Sequence, residues 1–530
     1  MLLRLLVCVC SGALLATAFD AVGPGDTSVL LAVLPLAALA LCTLGSTPRR
    51  SALLGLTFGA GFFFTLQWWM RAVGTDAWLG LSAVETLFMV PLALSWSMIQ
   101  SRTRWWPWWC ALAWVAVETV RSGWPFSGMP WGRLSYAVVD TTWAPVLPWI
   151  GFTLLSLCMA LSGTGLAALA VLARQRWRTR TGPTRLGAGV RSAAPGGTAV
   201  LLGVAVPLAG WAFPWQPETT DTMTVAVVQG DVPGRGDALA GVHRLVTQNH
   251  VRATVELAGA VESGEVAKPE LVLWPENSTA VDPFRDVEVR SGIDTAVQAV
   301  GTPVLVGAMV DGGQSTELLN QGVLYDPVTG AGERYTKWHP VPFGEYIPWR
   351  DLVFRSNLGR LDEIGRDLLR GDRSQPLRVG DVPVAAAICF DVAYDDALGS
   401  QIRSGAQLVT VQTSNAMFIF TRQVEQQYAI TRLRALESGR SVAVAATNGI
   451  SGVIGPDGEV LAQAPVRSTT TLVQEVPLVD ELTPATRWGL WPGRLAVLAT
   501  CLWVGAVLLR ERLPYIRRRP TESSSPRTAP

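Results

Sequence analysis

Lysine is almost missing from this chain. Of 43 Lys and Arg residues only two, Lys268 and Lys337, are lysines, which leaves 41 arginines. Histidine is scarce too, with three residues at His243, His250 and His339. Charged residues amount to 16%, and the formal net charge is +1. These shortages exclude function classes. A near-neutral chain has no basic excess with which to displace the counterions of a nucleic acid. No cluster of His, Cys, Asp and Glu has metal-ligand spacing, and no glycine-rich phosphate loop is present. Cysteine is short where it would matter. Cys8, Cys10, Cys42, Cys110, Cys158 and Cys501 lie in apolar runs, where a free thiol behaves as a small hydrophobe. The polar part of the chain holds Cys389 alone, so it has no internal disulfide. That thiol is either buried and inert or reactive.

What the chain has in quantity is apolar sequence, 49% of its 530 residues. Eight runs stand out: Leu2–Phe19, Ser28–Leu44, Ala52–Met70, Ala77–Ile99, Trp106–Val120, Ala144–Ala173, Thr198–Trp215 and Trp488–Leu509. A helix needs roughly 20 apolar residues to cross a bilayer, and most of these runs approach that length. Trp106–Val120 is short and contains Glu118. Arginines cluster in alternate connections, at Arg49 and Arg50, Arg102 and Arg104, Arg174 to Arg191, and after Leu509. Positive charge stays inside, so both termini are expected in the cytoplasm and the long polar region outside. The expected organisation is a transmembrane domain of seven helices over 1–215, an extracytoplasmic domain over 216–486, a final helix over 487–510 and a disordered cytoplasmic tail over 511–530. Ala16-Thr17-Ala18 resembles a signal-peptide cleavage site, but the later arginines do not require cleavage, and a retained span is expected.

From Thr224 the pattern changes to short apolar strands alternating with helix-period segments. "TVAVVQGDV", "LVLWPEN", "TPVLVGAMV", "VPVAAAICFDV", "AQLVTVQTSN" and "SVAVAATN" read as strands, and "SGVIGPDGEVLAQAP" as a hairpin. Ala240–Ala260 and "RQVEQQYAITRLRALESGR" read as helices. Buried strands with intervening helices indicate a layered α/β sandwich. Ligands gather at the carboxyl ends of strands in such sheets. Glu276 follows "LVLWP", Cys389 ends "VPVAAAIC", and Lys337 lies in the loop after "VLYDPVTGAGERYT". Taken singly they read as a solvated acid, a core thiol and a surface cation. Together they supply a base, a nucleophile and a cation for an oxyanion, the parts of an acyl-transfer site. A lysine in an arginine-rich chain fits that role, because an ammonium is a compact charge that arginine's planar fork does not reproduce.

These residues resemble the nitrilase, or carbon–nitrogen hydrolase, superfamily, whose sites use Glu, Lys and Cys in that order. The matches are Glu276 in "LVLWPENS", Lys337 in "YTKWHPVPFGEYIP" and Cys389 in "AAAICFD". The closer resemblance is to its membrane-embedded branch, the apolipoprotein N-acyltransferase family, through "QGDVP", "VPFGEYIP", "LRALESGR", "TNGISGVI" and "GMPWGRLSYA". It implies a helical membrane domain carrying a nitrilase-like α-β-β-α sandwich. It gives Glu276 the role of general base, Lys337 that of oxyanion stabiliser, Cys389 that of nucleophile and Glu345 that of a second essential glutamate. It implies a phospholipid acyl donor, a diacylglyceryl-cysteine lipoprotein acceptor and a monomer in the cytoplasmic membrane, with no metal or cofactor. Phe390, Asp391, Asn415, Phe343 and Trp349 are the expected substrate contacts. Two departures fall among them: Phe390-Asp391 stands where the family often has Tyr-Glu, and Ser414-Asn415-Ala416-Met417-Phe418 where many members have Ser-Asn-Asp-x-Trp-Phe. The apolar and basic segment from Phe343 to Ile364 is expected to be an arm on the bilayer surface. A tethered amidase and a non-catalytic scaffold are the other two classes.

Overall fold

The apolar runs all become helix, but they do not all reach the length of a membrane span. The computed structural model describes residues 1–20, 25–178, 186–232, 243–348, 350 and 365–516. Among these, four segments are long and apolar enough to cross a membrane: Thr75–Arg102, Ala144–Arg178, Ala193–Ala212 and Trp491–Arg510. Of the other expected spans, Leu2–Thr17 and Trp106–Arg121 have 16 residues each and Thr27–Thr43 has 17. At 1.5 Å per residue they extend only about 25 Å. Pro48–Leu66 has 19 residues but opens on Arg49 and Arg50. The shorter helices pack against their neighbours on one side and leave Leu2, Leu3, Leu6, Leu30 and Leu34 exposed on the other. Leu2–Thr17 lies so close to Pro48–Leu66 that a Cβ on Gly12 would come within 2.1 Å of the Phe58 carbonyl oxygen, and one on Gly61 within 2.1 Å of that of Val9. The chain after Pro520 and most of the expected arm, including Trp349, lie outside the described residues.

The polar region folds as two stacked sheets. The first has strand order β13-β1-β2-β3-β4-β5, with β6 beside β4. Its strands are β1 (Asp221–Gln229), β2 (Leu271–Leu273), β3 (Val304–Asp311), β4 (Glu317–Asp326), β5 (Gly330–Thr336), β6 (Asp367–Leu368) and β13 (Thr470–Leu478). The second has order β12-β11-β10-β9-β8-β7, from β7 (Leu377–Val379), β8 (Val382–Ile388), β9 (Leu408–Thr413), β10 (Val442–Ala446), β11 (Gly452–Ile454) and β12 (Val460–Gln463). The expected hairpin is β11 and β12, paired antiparallel. Val225, Val227, Leu271, Leu273 and Leu305 of the first sheet meet Val384, Ala386, Ile388, Leu408 and Ala443 of the second. Both central sets are buried on each face, which is why these strands read as unbroken apolar runs rather than alternating ones.

The two outer faces are covered differently. His243–Glu262 and Val287–Val300 cover the first sheet through Ala253, Leu257, Ile293 and Val297. Helices Ala397–Arg403 and Gln423–Ser438 cover the second, and their apolar core is continuous with that of the membrane helices. The irregular connection after Trp106–Arg121 seals this junction. Trp131 Nε1 donates to Gln426 Oε1 at 2.8 Å, Tyr136 Oη to the Ala393 carbonyl at 2.6 Å, and Tyr394 Oη to the Gly128 carbonyl at 2.8 Å. Arg133 and Arg434, both buried, each reach Asp395 at 2.8 Å. Burial alone would raise the Asp395 carboxyl, but the two guanidiniums outweigh it and hold the pKa at about 2. The α/β domain is thus fixed to the helical bundle by buried polar contacts, not tethered by a free linker.

Candidate active site

Four loops at strand ends converge between the sheets. Glu276 follows β2, Lys337 follows β5, Cys389 follows β8 and Ser414 follows β9. The convergence demands unusual backbone. Cys389 itself has φ 51°, and Asn277, Asn415 and Phe343, beside or near the other site residues, have φ 58°, 52° and 61°. Non-glycine residues in this region cost on the order of 1–3 kcal/mol each and persist where the surroundings over-determine them. Gly307 in β3 lets the Glu276 loop lie against the sheet, since a Cβ there would come within 2.0 Å of the Pro275 carbonyl oxygen and 2.8 Å of Glu276 Cα. Gly307→Ala is therefore expected to displace Glu276. A shift of about 1 Å costs roughly 10²-fold in rate. Steady-state turnover should fall by that order while the protein still purifies as a folded membrane protein; unchanged turnover contradicts this placement.

Glu276 and Lys337 are almost completely buried, with exposures of 3% and 1%, whereas Cys389 is partly open. Lys337 Nζ donates to Glu276 Oε1 at 3.1 Å and to Glu345 Oε1 at 2.7 Å. An ammonium has three N–H donors, so one remains for a reacting oxygen. Burial alone would push the Lys337 pKa down; the facing Glu276 and Glu345 carboxylates overcome it and hold the ammonium charged well above its ordinary range. Asn320 Nδ2 donates to Glu276 Oε1 at 2.7 Å and the Ser414 amide to Oε2 at 2.8 Å, so donors hold both oxygens in place. The second oxygen of Glu345 accepts from the Val341 amide at 2.7 Å. Burial, and then the negative charge of Glu276, push the Cys389 thiol above its ordinary range against the opposing pull of Lys337. A thiol so raised is neutral at rest and would have to lose its proton to act as a nucleophile.

The expected substrate contacts divide. Asp391 is fully buried and is not a substrate contact: its carboxylate accepts from the Ile388, Trp338 and His339 amides at 3.1, 3.3 and 2.8 Å and from Tyr335 Oη at 2.9 Å. It fastens the turn carrying Cys389 to the segment just after Lys337. Asn415 is likewise enclosed, with Nδ2 donating to Gln423 at 3.1 Å and Gln427 at 3.0 Å. Phe390 is 5% exposed and stacks on Trp131 with centroids 6.0 Å apart, so it serves the junction with the bundle. Phe343 stays partly exposed, edge-on to Phe126 at 5.9 Å. Sequence reading missed Asn320 and the glutamines. Gln427 Oε1 lies 3.8 Å from Cys389 Sγ, and its Nε2 donates to Thr413 Oγ1 at 3.0 Å. Gln423, Gln426 and Gln427, spaced along one helix face, were the available signal. Asn320 lies mid-strand and gives none.

Residues 11–165 match the family model of the apolipoprotein N-acyltransferase N-terminal domain, and residues 224–481 that of carbon-nitrogen hydrolase. An apolipoprotein N-acyltransferase from Mycolicibacterium smegmatis is 34% identical over 444 residues, covering 82% of this chain and 74% of the relative. One from Pseudomonas putida is 29% identical over 515 residues, covering 91% and 93%. Among solved structures, an amidase from Nesterenkonia sp. AN1 is 20% identical at a TM-score of 0.35, covering 50% of this chain and 95% of its own. Two family matches in register with the helical and α/β parts, and a relative matched over most of both lengths, place the protein as a member of the apolipoprotein N-acyltransferase family, in the carbon–nitrogen hydrolase superfamily.

Proposed function

We propose that this protein moves an acyl chain from a phospholipid, through a thioester on Cys389, to the free α-amino group of the N-terminal diacylglyceryl-cysteine of lipoproteins. The observation that carries the reading is Lys337, buried between Glu276 and Glu345 beside the Cys389 turn, in a chain matched along its length by enzymes named for lipoprotein N-acylation. In the first half-reaction Cys389 Sγ attacks the ester carbonyl as Glu276 takes the thiol proton. The charge on the carbonyl oxygen is held by the remaining donor of Lys337 Nζ. The ester C–O bond breaks, Glu276 returns the proton to the departing oxygen, and a lysophospholipid leaves. In the second, the amine attacks the thioester, its proton passes through Glu276 to the departing sulfur, and an amide forms. Splitting the transfer makes two easier steps of one difficult step. Glu345 acts through Lys337 as a positioning residue.

The same catalytic groups would serve a tethered amidase. Four segments of membrane-crossing length and a buried junction to the α/β domain favour substrates that approach within the bilayer, where both lipids reside. The domain over 216–486 lies outside the cytoplasmic membrane in this reading, with both termini inside, and the protein works as a monomer. Incubation with phospholipid and a diacylated lipopeptide should yield triacylated lipopeptide and lysophospholipid in equal amounts. Release of ammonia from a small amide without lipopeptide acylation contradicts the reading. A reporter inserted at 179–185 should be active only in the cytoplasm; activity on the other face overturns the orientation.

A further inference from the structure

One buried side chain lies against the Cys389 sulfur and has no part in the chemistry above. Gln427, on the Gln423–Ser438 helix, places Oε1 3.8 Å from Cys389 Sγ. A buried amide is costly unless its donors and acceptors are matched. Three bonds that close a ring match this one. Gln427 Nε2 donates to Thr413 Oγ1 at 3.0 Å, Thr413 Oγ1 to Asn415 Oδ1 at 3.1 Å, and Asn415 Nδ2 to Gln427 Oε1 at 3.0 Å. Gln427, Thr413 and Asn415 are all buried. The three bonds run in one sense around the ring, so each polarises the next.

The ring closes over Ser414, which stands between Thr413 and Asn415 and whose amide donates to Glu276 Oε2 at 2.8 Å. Asn415 takes the left-handed conformation there, at φ 52°, and such a backbone persists where its surroundings over-determine it. Gly449 leaves room for its side chain, since a Cβ at 449 would come within 2.8 Å of Asn415 Oδ1. Gln427 Oε1 also accepts from Gln423 Nε2 at 2.7 Å. Two N–H donors therefore occupy the two lone pairs of that oxygen, and it holds the thiol proton only weakly. What the contact fixes is the position of the sulfur. The helix is itself anchored one residue away, where Gln426 accepts from Trp131 of the bundle at 2.8 Å.

We propose that Gln427 is a positioning residue for the first half-reaction, holding the Cys389 sulfur and the Glu276 carboxylate in register as one unit. One end of its amide abuts the nucleophile, and the ring it closes sets the Ser414 amide that orients the base. Neither effect requires Gln427 to touch the lipid, so its loss acts on the rate of thioester formation and not on phospholipid binding. The proposal rests on the acyl-transfer reading, in which Cys389 is the nucleophile and Glu276 takes its proton.

The test is the first-turnover rate of Cys389 acylation by full-length protein in mixed micelles of varied phospholipid content, with no acceptor present. Gln427→Met keeps the length of the side chain and removes its hydrogen bonds. It should slow acylation at saturating phospholipid by roughly 10²-fold, the cost of a misplacement of about 1 Å, and leave the half-saturating phospholipid content unchanged. Thr413→Val keeps the shape of threonine without the hydroxyl and should be slowed alike, whereas Thr413→Ser, which restores the hydroxyl, should recover most of the loss. A role in packing alone would not follow the hydroxyl in this way. The Gln427→Met/Thr413→Val double variant should be no slower than the slower single variant, because the ring acts as a unit. Acylation by Gln427→Met within a few-fold of the parent overturns the proposal, as does Thr413→Ser as slow as Thr413→Val. A higher half-saturating content at an unchanged maximal rate also overturns it and places Gln427 in lipid binding. A parent that never acylates Cys389 overturns the acyl-transfer reading first, and this proposal with it.

Discussion

Cys389→Ser is expected to leave a folded, membrane-inserted protein that has lost turnover by about 10⁴-fold or more, the scale at which removing one member of a nucleophile–base unit acts. The substitution is nearly isosteric, and the turn does not depend on sulfur. Asp391 holds it through the Ile388 amide at 3.1 Å and Tyr335 Oη at 2.9 Å, and neither contact touches Sγ. Chemistry is what changes. A hydroxyl gives up its proton far less readily than a thiol, and an ester is a poorer acyl donor to an amine than a thioester. Burial deepens the handicap, since it already raises the thiol at this position and would raise a hydroxyl for the same reason. Phospholipid-to-lipopeptide transfer by purified protein checks this. Serine variant activity within a few-fold of wild type removes Cys389 from the nucleophile's role.

Lys337→Arg is expected to retain positive charge and still lose on the order of 10²–10³ in rate, the usual cost of one oxyanion donor. The site is built around a single point. Nζ sits 3.1 Å from Glu276 and 2.7 Å from Glu345 in a space that leaves the side chain 1% exposed. A guanidinium is longer, planar and forked, so meeting both carboxylates would swing its remaining donors away from the reacting oxygen. The loss should appear in the rate of thioester formation measured in a single turnover. A normal single-turnover rate with slow overall turnover would instead place Lys337 in lipid binding or release.

Much of this site was legible in the sequence because each candidate catalytic residue follows a strand, an apolar one for Glu276 and Cys389 and a polar one for Lys337. Glu276 after "LVLWP" and Cys389 after "VPVAAAI" stand where β2 and β8 open toward a common cleft, and Lys337 follows β5 directly. What sequence could not distinguish was touching a substrate from holding a neighbour in place. Asp391, two residues from the nucleophile, looked like a ligand contact and is a brace whose acceptors are consumed by backbone amides across the sheets. Such contacts join residues more than 50 positions apart, and no local pattern encodes them. The membrane part was legible in kind and less so in length. Apolar composition marks a helix that is hidden from water, but hidden by lipid and hidden by other helices look alike. Leu2–Thr17 shows both: Leu2, Leu3 and Leu6 are exposed, while Cys8 and Leu15 are buried and Gly12 packs closely on Pro48–Leu66.

The account stands or falls on where the acyl chain rests between donor and acceptor. Wild-type protein incubated with phospholipid and no lipopeptide, then digested under mildly acidic conditions and read by tandem mass spectrometry, measures this directly. The peptide containing Cys389 should gain the mass of one fatty acid less water. That increment should vanish when a diacylated lipopeptide is added, while the lipopeptide gains it. An acyl group mapped to any other residue, or lipopeptide acylated at full rate with the Cys389 peptide never modified, contradicts it.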